Sequence, residues 1–182
     1  MARQSTSQPD SSKSTERNAK DRSGTRPPRK TTRATAKTDD AIKVLKNDHK
    51  EVRSWFDEFE KEDDDHKKEQ LAQRICKALS LHAQIEEEIF YAAARQADVG
   101  NDLLDEAEVE HESAKHLIEQ ITHVGPKDPL FDAKVTVLGE YVKHHVYEEE
   151  NRLFAECRKR GMDVKALGRQ LAERKAELAG KH

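Results

Sequence analysis

Six residues of this chain have the types and the spacing of a metal site. They are His49, His82, Glu86, His111, His145 and Glu149. In each half of the set, one histidine is followed 33 or 34 residues later by a second, which precedes a glutamate by four residues. Neutral imidazoles donate lone pairs and carboxylates supply negative charge, so the set favours iron or manganese, with zinc possible, over an all-oxygen calcium or magnesium site.

Long helices are the elements that must position these six residues. Apolar residues recur at alternating spacings of three and four, and proline is absent between Ile42 and Gly125. The pattern predicts helices over residues 40–61, 66–97, 102–123 and 130–160, and a fifth that begins after Asp163 and ends before Gly180. Short connections between long helices indicate antiparallel neighbours. The predicted fold is all-α: an up-down-up-down four-helix bundle with an extra C-terminal helix.

The six polar residues interrupt the apolar stripes of these helices, at matching depths. At about 1.5 Å per residue, they fall in a layer roughly one to two turns thick. Unpaired buried polar groups cost a few kcal/mol each, and six would consume the ~5–15 kcal/mol margin of a typical domain. A shared cation removes that cost. For either His–Glu pair alone, mutual pairing across an aqueous gap is the alternative.

The motifs around these residues resemble those of the hemerythrin family, in particular the bacterial His-His-Glu cation-binding domains. The matching motifs are Asp48-His49, His82-xxx-Glu86-Glu87, Glu110-His111-Glu112 and His145-xxx-Glu149-Glu150. The resemblance covers about residues 40–178. It implies a non-haem, usually di-iron site in a four-helix bundle, with carboxylates bridging the metals. Members of this family bind or sense oxygen, handle nitric oxide or peroxide, or sense iron.

The third helix departs from the pattern of oxygen-carrying hemerythrins, which have two histidines four residues apart there. Lys115 stands at that spacing after His111, and His116 is one residue too far along the helix. One iron would then lose a ligand, leaving an open or water-filled position, a mixed-metal site or a single metal. Glu108, one turn before His111, is an alternative ligand, although a position on a solvated acidic face is the favoured interpretation. The departure favours redox or sensing chemistry over reversible oxygen carriage.

The first 38 residues differ in composition from the rest of the chain. They contain ten Lys and Arg against three Asp and Glu, a net charge of +7, and no Val, Ile, Leu, Phe, Trp, Tyr or Cys. The rest has 23 basic and 33 acidic residues, a net charge of −10. We expect residues 1–39 to form a disordered basic tail that is able to contact a polyanion, and residues 40–178 to form the metal-binding domain.

No apolar run approaches the ~20 residues of a membrane helix, and the two cysteines, Cys76 and Cys157, lack CxxC spacing. A secretory signal is also absent from the N-terminal residues, so a reducing cytoplasm is the expected location. The three tyrosines, Tyr91, Tyr141 and Tyr147, are expected to pack in the core; the less favoured alternative is that they line the site and donate to a metal-bound oxygen. His144 is equally compatible with a surface position and with a role beside the site.

Taken together, the sequence predicts a non-haem iron protein that binds or senses oxygen, nitric oxide or peroxide. Two iron ions are expected, or a single one, and manganese or zinc are less favoured. One alternative is a di-iron enzyme with catalase- or oxidase-like turnover of peroxide. Another is an iron- or redox-responsive interaction protein anchored through its basic tail. The sequence does not decide whether the protein is an enzyme.

Overall fold

The computed structural model describes residues 39–180, and within them all regular structure is helical. The helices are α1 (Ala41–Phe59), α2 (Asp65–Ile85), π1 (Glu86–Tyr91), α3 (Ala92–Gln96), α4 (Asn101–His123), α5 (Phe131–Glu148), π2 (Glu149–Leu153), α6 (Phe154–Lys159) and α7 (Val164–Ala179). The segments α2, π1 and α3 follow one another directly, as do α5, π2 and α6. The all-α prediction is confirmed, whereas the predicted disordered tail lies outside the described residues, and the domain boundary at residue 40 stays a prediction.

Aspartate caps start three of the helices. The carboxylates of Asp40, Asp64 and Asp163 each accept a hydrogen bond from the backbone N–H three residues later, at 2.9–3.0 Å. Such a cap satisfies one of the N–H groups that a helix start leaves unpaired. Within the described chain, no helix combines the length and the apolar character needed to cross a bilayer.

The bundle is formed by packing of α1 on α2 and α5, and of α4 on α2 and α5. Its apolar core consists of two separate clusters of buried side chains. On α1, Leu45 belongs to one cluster and Val52 to the other. His49 lies between them in sequence and is itself buried. The core is therefore divided by a polar layer at the level of His49.

Helix α7 packs against α1 and covers the end of the bundle where α1 begins. Leu171 of α7 is fully buried in the same apolar cluster as Leu45. Gly168 permits the close approach, since a Cβ atom there would lie 2.2 Å from the carbonyl oxygen of Asp39 and 2.9 Å from the backbone nitrogen of Ala41. The extra C-terminal helix therefore contacts the backbone at the start of α1 directly, at Gly168.

Replacing Gly168 with alanine should lower the free energy of unfolding by about 1–3 kcal/mol, because the new methyl group overlaps backbone atoms that have little freedom to move. Alanine is intrinsically the better helix former by about 1 kcal/mol, so a loss would come from the clash. Urea unfolding measures the change. Gly180→Ala is the matched control, because its nearest contact would be an ordinary 3.5 Å. Equal stability of the two variants would contradict this account of the docking.

Candidate metal centre

The six residues singled out in the sequence come together in the polar layer between the two apolar clusters. All of them are buried: His49, His82, Glu86, His111, His145 and Glu149. The Nε2 atoms of His49 and His82 are 3.0 Å apart. The Nε2 atoms of His111 and His145 are 3.2 Å apart. The four histidines thus form two pairs, each joining neighbouring helices of the bundle.

The two glutamates lie between these histidine pairs. Glu86 Oε2 is 3.1 Å from His82 Nε2 and 3.5 Å from His111 Nε2. Glu149 Oε2 is 3.3 Å from His49 Nε2 and 4.0 Å from His145 Nε2. Each carboxylate therefore faces one histidine of either pair. The four histidines and the two glutamates therefore form one continuous cluster of possible metal ligands.

The two halves of the layer differ in how many possible ligand atoms they bring together. One half brings four possible ligand atoms within 4.8 Å of one another, and the other brings three. The larger group consists of His49, His82, Glu86 and Glu149. The smaller group consists of Glu86, His111 and His145. Glu86 belongs to both groups, so it links the two halves more closely than Glu149, whose Oε2 atom is 4.0 Å from His145 Nε2.

Neither the residues at or next to the usual histidine position on the third helix nor the alternative ligand Glu108 joins the six buried side chains. Lys115 is 45% exposed, and its Nζ atom lies 2.7 Å from Glu87 Oε1, outside the six-residue set. His116 is exposed. Glu108 is exposed and pairs with Arg95 at 2.8 Å on the surface. The His111 half of the site therefore gains no further ligand from α4.

A second carboxylate faces the outer ring nitrogen, Nδ1, of each histidine. The pairs are Glu150 with His49 at 3.0 Å, Glu87 with His111 at 2.9 Å, Glu110 with His145 at 2.9 Å, and Asp48 with His82 at 3.6 Å. An Nδ1–H group that donates to a carboxylate fixes the tautomer whose Nε2 lone pair points inward. No role for these four acids is predicted from the sequence. One feature of the sequence could have identified them: each acid stands directly next to one of the six residues, and this is repeated in both halves.

Two π-helical segments begin at the two central glutamates, π1 at Glu86 and π2 at Glu149. A π-turn bonds residues five apart and occurs mainly at functional sites. In π1 it brings Tyr91, five residues after Glu86, back to the buried side of the helix. An uninterrupted α-helix would turn Tyr91 away from that side. The sequence predicted continuous helices here, because no residue type signals such a turn.

Tyr91 is the buried hydroxyl of the layer. Its OH group donates a hydrogen bond to Glu149 Oε1 at 3.2 Å, and its ring stacks on His111 with 5.5 Å between ring centroids. Burial, together with the negative charge of Glu149, raises the pKa of Tyr91 well above its usual value. Tyr91 packs in the core as expected. The same expectation is wrong for Tyr141 and Tyr147, which are 49% and 62% exposed.

Several polar atoms of the layer require a partner that the described side chains do not supply. Both carboxylate oxygens of Glu86 and Oε2 of Glu149 are buried without a hydrogen-bond partner among residues 39–180. His111 and His145 each direct Nδ1 at a carboxylate, so in their neutral forms two Nε2 lone pairs face each other at 3.2 Å. A proton or a cation between them removes this repulsion. The donor set therefore fits a metal.

The charges of the layer favour a bound proton where no cation replaces it. Burial lowers the pKa of His82, but Glu86 and Asp48 outweigh that effect and raise it to about 10. Burial opposes ionisation of Glu86, yet His82 and His111 hold the pKa of that carboxyl well below its usual range. A metal ion would therefore displace a proton from the cluster rather than fill a neutral space.

A small cavity of about 40 Å³ adjoins the four histidines. Its other walls are largely apolar and come from α1, α2, α4 and α5; they include Val52, Leu79, Ile118 and Val142. A space of this size has room for a diatomic molecule or a water molecule.

Comparisons with known proteins agree with this site. A family model described as the Hemerythrin HHE cation binding domain matches residues 39–157. A curated relative from Nostoc sp., named DNA nickase, is 35% identical over 115 residues, which are 63% of this chain and 32% of that protein. The chain therefore spans about a third of that relative. The crystal structure of a hemerythrin HHE cation binding domain-containing protein from Mycobacterium kansasii aligns with a TM-score of 0.68 and 19% identity, covering 79% of this chain and 89% of that one. The chain belongs to the hemerythrin HHE cation-binding family.

Proposed function

We propose that the layer holds two iron ions, one on the pair His49 and His82 and the other on the pair His111 and His145. Glu86 and Glu149 would bridge them. The observation that carries this proposal is the position of each glutamate oxygen, within 3.1–4.0 Å of one Nε2 atom from either pair. Imidazole with carboxylate suits non-haem iron, and manganese or zinc would fit the same atoms with less preference.

We further propose that the site binds or senses oxygen, nitric oxide or peroxide. A non-haem iron pair, when bound, supplies redox chemistry and coordination positions for such small ligands. The chain itself contributes a cavity of about 40 Å³ with largely apolar walls, which has room for such a ligand. Tyr91 contributes a proton-bearing hydroxyl 3.2 Å from a bridging carboxylate.

Turnover of peroxide is the enzymatic form of the same proposal. The His111 half of the site has three grouped ligand atoms, compared with four in the other half. A less crowded half would leave room for a ligand to bind. Steady release of oxygen from peroxide by iron-loaded protein would support an enzyme, whereas a single spectral change without turnover would support a binding or sensing role.

A second candidate concerns the basic residues 1–38 and the relative named DNA nickase. Residues 1–38 carry a net charge of +7, which suits non-specific contact with a polyanion. The name of the relative indicates that it acts on DNA. In this candidate the bundle would report metal or redox state while the tail is bound to nucleic acid. Loss of DNA binding on deletion of residues 1–38, with iron content unchanged, would support it.

Iron content after anaerobic reconstitution with ferrous iron tests the main proposal directly. We expect two iron ions per chain by elemental analysis, and an optical spectrum that differs between air and reductant. The His82→Ala variant should hold fewer ions, because it removes an Nε2 donor from one half. A reconstituted wild-type protein with no bound iron would contradict the proposal.

A further inference from the structure

We propose that Lys175 of α7 is a positioning residue of the metal centre, acting on His82 through Asp48. The inference rests on the proposed function above. It concerns a helix that lies beyond residues 39–157, the part of the chain that the family model matches. In this chain the C-terminal helix would thus have two roles. It would cover one apolar cluster of the core, and it would hold the carboxylate that faces the proposed ligand His82.

The contacts form a short relay from α7 to the layer. Lys175 Nζ is 2.5 Å from Asp48 Oδ1. The other oxygen of that carboxylate, Oδ2, is 3.6 Å from His82 Nδ1. Both of these facing atoms are buried and have no hydrogen-bond partner among the described residues. A small adjustment of either side chain would bring these two atoms within hydrogen-bond distance.

At two other histidines, a lysine likewise contacts the carboxylate beside the imidazole ring. Glu150, beside His49, is 3.1 Å from Lys46, and Glu87, beside His111, is 2.7 Å from Lys115. Each of these carboxylates thus has a lysine on its outer side. A lysine balances the charge of a carboxylate that would otherwise be drawn toward a cation in the layer.

His82 differs from these two in where its lysine comes from. Lys46 and Lys115 belong to α1 and α4 of the bundle itself, whereas Lys175 lies on α7, 127 residues from Asp48. Asp48 also has the most buried of these carboxylates, with 11% of its side chain exposed compared with 27% for Glu150 and 31% for Glu87. Loss of its lysine would therefore leave the least hydrated of the three anions uncompensated.

The position of α7 is fixed well enough for this role. Arg174, the residue before Lys175, contacts both carboxylate oxygens of Glu88 in π1 at 2.7 and 3.1 Å. Gly168, nearly two turns earlier, lies against the backbone at the start of α1. Helix α7 is thus attached both to the π-turn after Glu86 and to the helix that carries Asp48. These contacts hold Lys175 at the correct depth.

Three variants of the full chain, each loaded anaerobically with ferrous iron, test the proposal. Lys175→Met removes the charge and keeps most of the side-chain volume, and Lys175→Arg keeps the charge. Lys165→Met, on the exposed side of α7, is the matched control. Iron release to a chromophoric ferrous chelator gives a rate for each ion, and Mössbauer spectra of ⁵⁷Fe report the surroundings of each iron separately.

We expect Lys175→Met to release one of the two ions about 10-fold faster, the lower end of the range for loss of a direct outer-shell partner, because Lys175 acts through Asp48. Only one iron environment should change in the Mössbauer spectrum. Lys175→Arg should restore the slow rate, and Lys165→Met should match wild type. A merely structural role would alter both irons alike, and the change would not be confined to one of the two iron environments.

The outcomes separate this inference from the function on which it rests. Wild-type protein that holds no iron would overturn both. Wild-type protein that holds two ions, with Lys175→Met releasing them as Lys165→Met does, would overturn the positioning role alone. Equal acceleration of both ions in Lys175→Met, without rescue by Lys175→Arg, would also overturn it, since that result describes general loosening of α7.

Discussion

Replacing Glu86 with glutamine is expected to reduce bound iron from two ions per chain to one or none. One Glu86 oxygen lies near a histidine of each pair, 3.1 Å from His82 and 3.5 Å from His111. Glutamine keeps the shape but removes the negative charge and one oxygen donor. The affinity loss should exceed the 10- to 100-fold typical of outer-shell partners, because Glu86 would be a direct ligand of both ions. Elemental analysis after loading at a buffered free-iron concentration measures it.

The control for this substitution is Glu112→Gln. Glu112 follows His111 in the third motif, but it is exposed on α4. The same change of charge there should leave two ions bound. Retention of two ions with wild-type affinity in the Glu86 variant would show that the carboxylate between the histidine pairs does not bridge metals.

The six central residues were predictable because their positions conflict with the apolar pattern around them. His49 interrupts the stripe that contains Leu45 and Val52, and a buried imidazole without a partner is unfavourable. Four such conflicts at one depth, repeated in two halves, indicate a shared cause. The structure brings all six side chains together, as the spacing predicted; their role as ligands stays a proposal.

The surrounding carboxylates were harder to predict, because sequence position does not show what a side chain meets. Glu87 stands next to Glu86 on one helix, yet it contacts His111 on another. The relay from Lys175 to Asp48 depends on how α7 docks, and the close approach at Gly168 that permits this docking has no local signature. Such contacts arise from tertiary packing, which helical periodicity describes only in part.

The π-turns have a similar explanation. Both histidine–glutamate pairs are four residues apart, as on an ordinary helix, so the helical pattern continues through Glu86 and Glu149. The wider turn appears only afterwards, where Phe90 and Tyr91 are both buried although they are adjacent. Two adjacent large residues that are both buried are a signal in retrospect. In the sequence alone, the same pair is compatible with one residue at the edge of the apolar stripe.

Removing the metal should lower the stability of the bundle by about 3 kcal/mol or more. A ligand that binds only the native state at 100 times its dissociation constant contributes about 2.7 kcal/mol, and two ions would contribute more. For a domain of this size, each kcal/mol corresponds to about 2–4 °C in Tm. Thermal unfolding of iron-loaded and chelator-treated protein, both anaerobic, measures the difference. Identical curves would contradict a metal held by the polar layer.

The stability difference between iron-loaded and metal-free protein should increase as the pH rises. The direction of this change follows from the proton on His82. Its pKa in the metal-free protein is raised to about 10, compared with about 6.5 in an unfolded chain. The stabilisation from this proton is therefore complete below about pH 6.5 and decreases as the pH approaches 10. Metal binding requires the proton to leave, so affinity increases over the same range. Urea unfolding at pH 6.5, 7.5 and 8.5, at fixed free metal, should show the two stabilities diverging. A difference that stays constant or shrinks would mean that His82 does not exchange a proton for the ion.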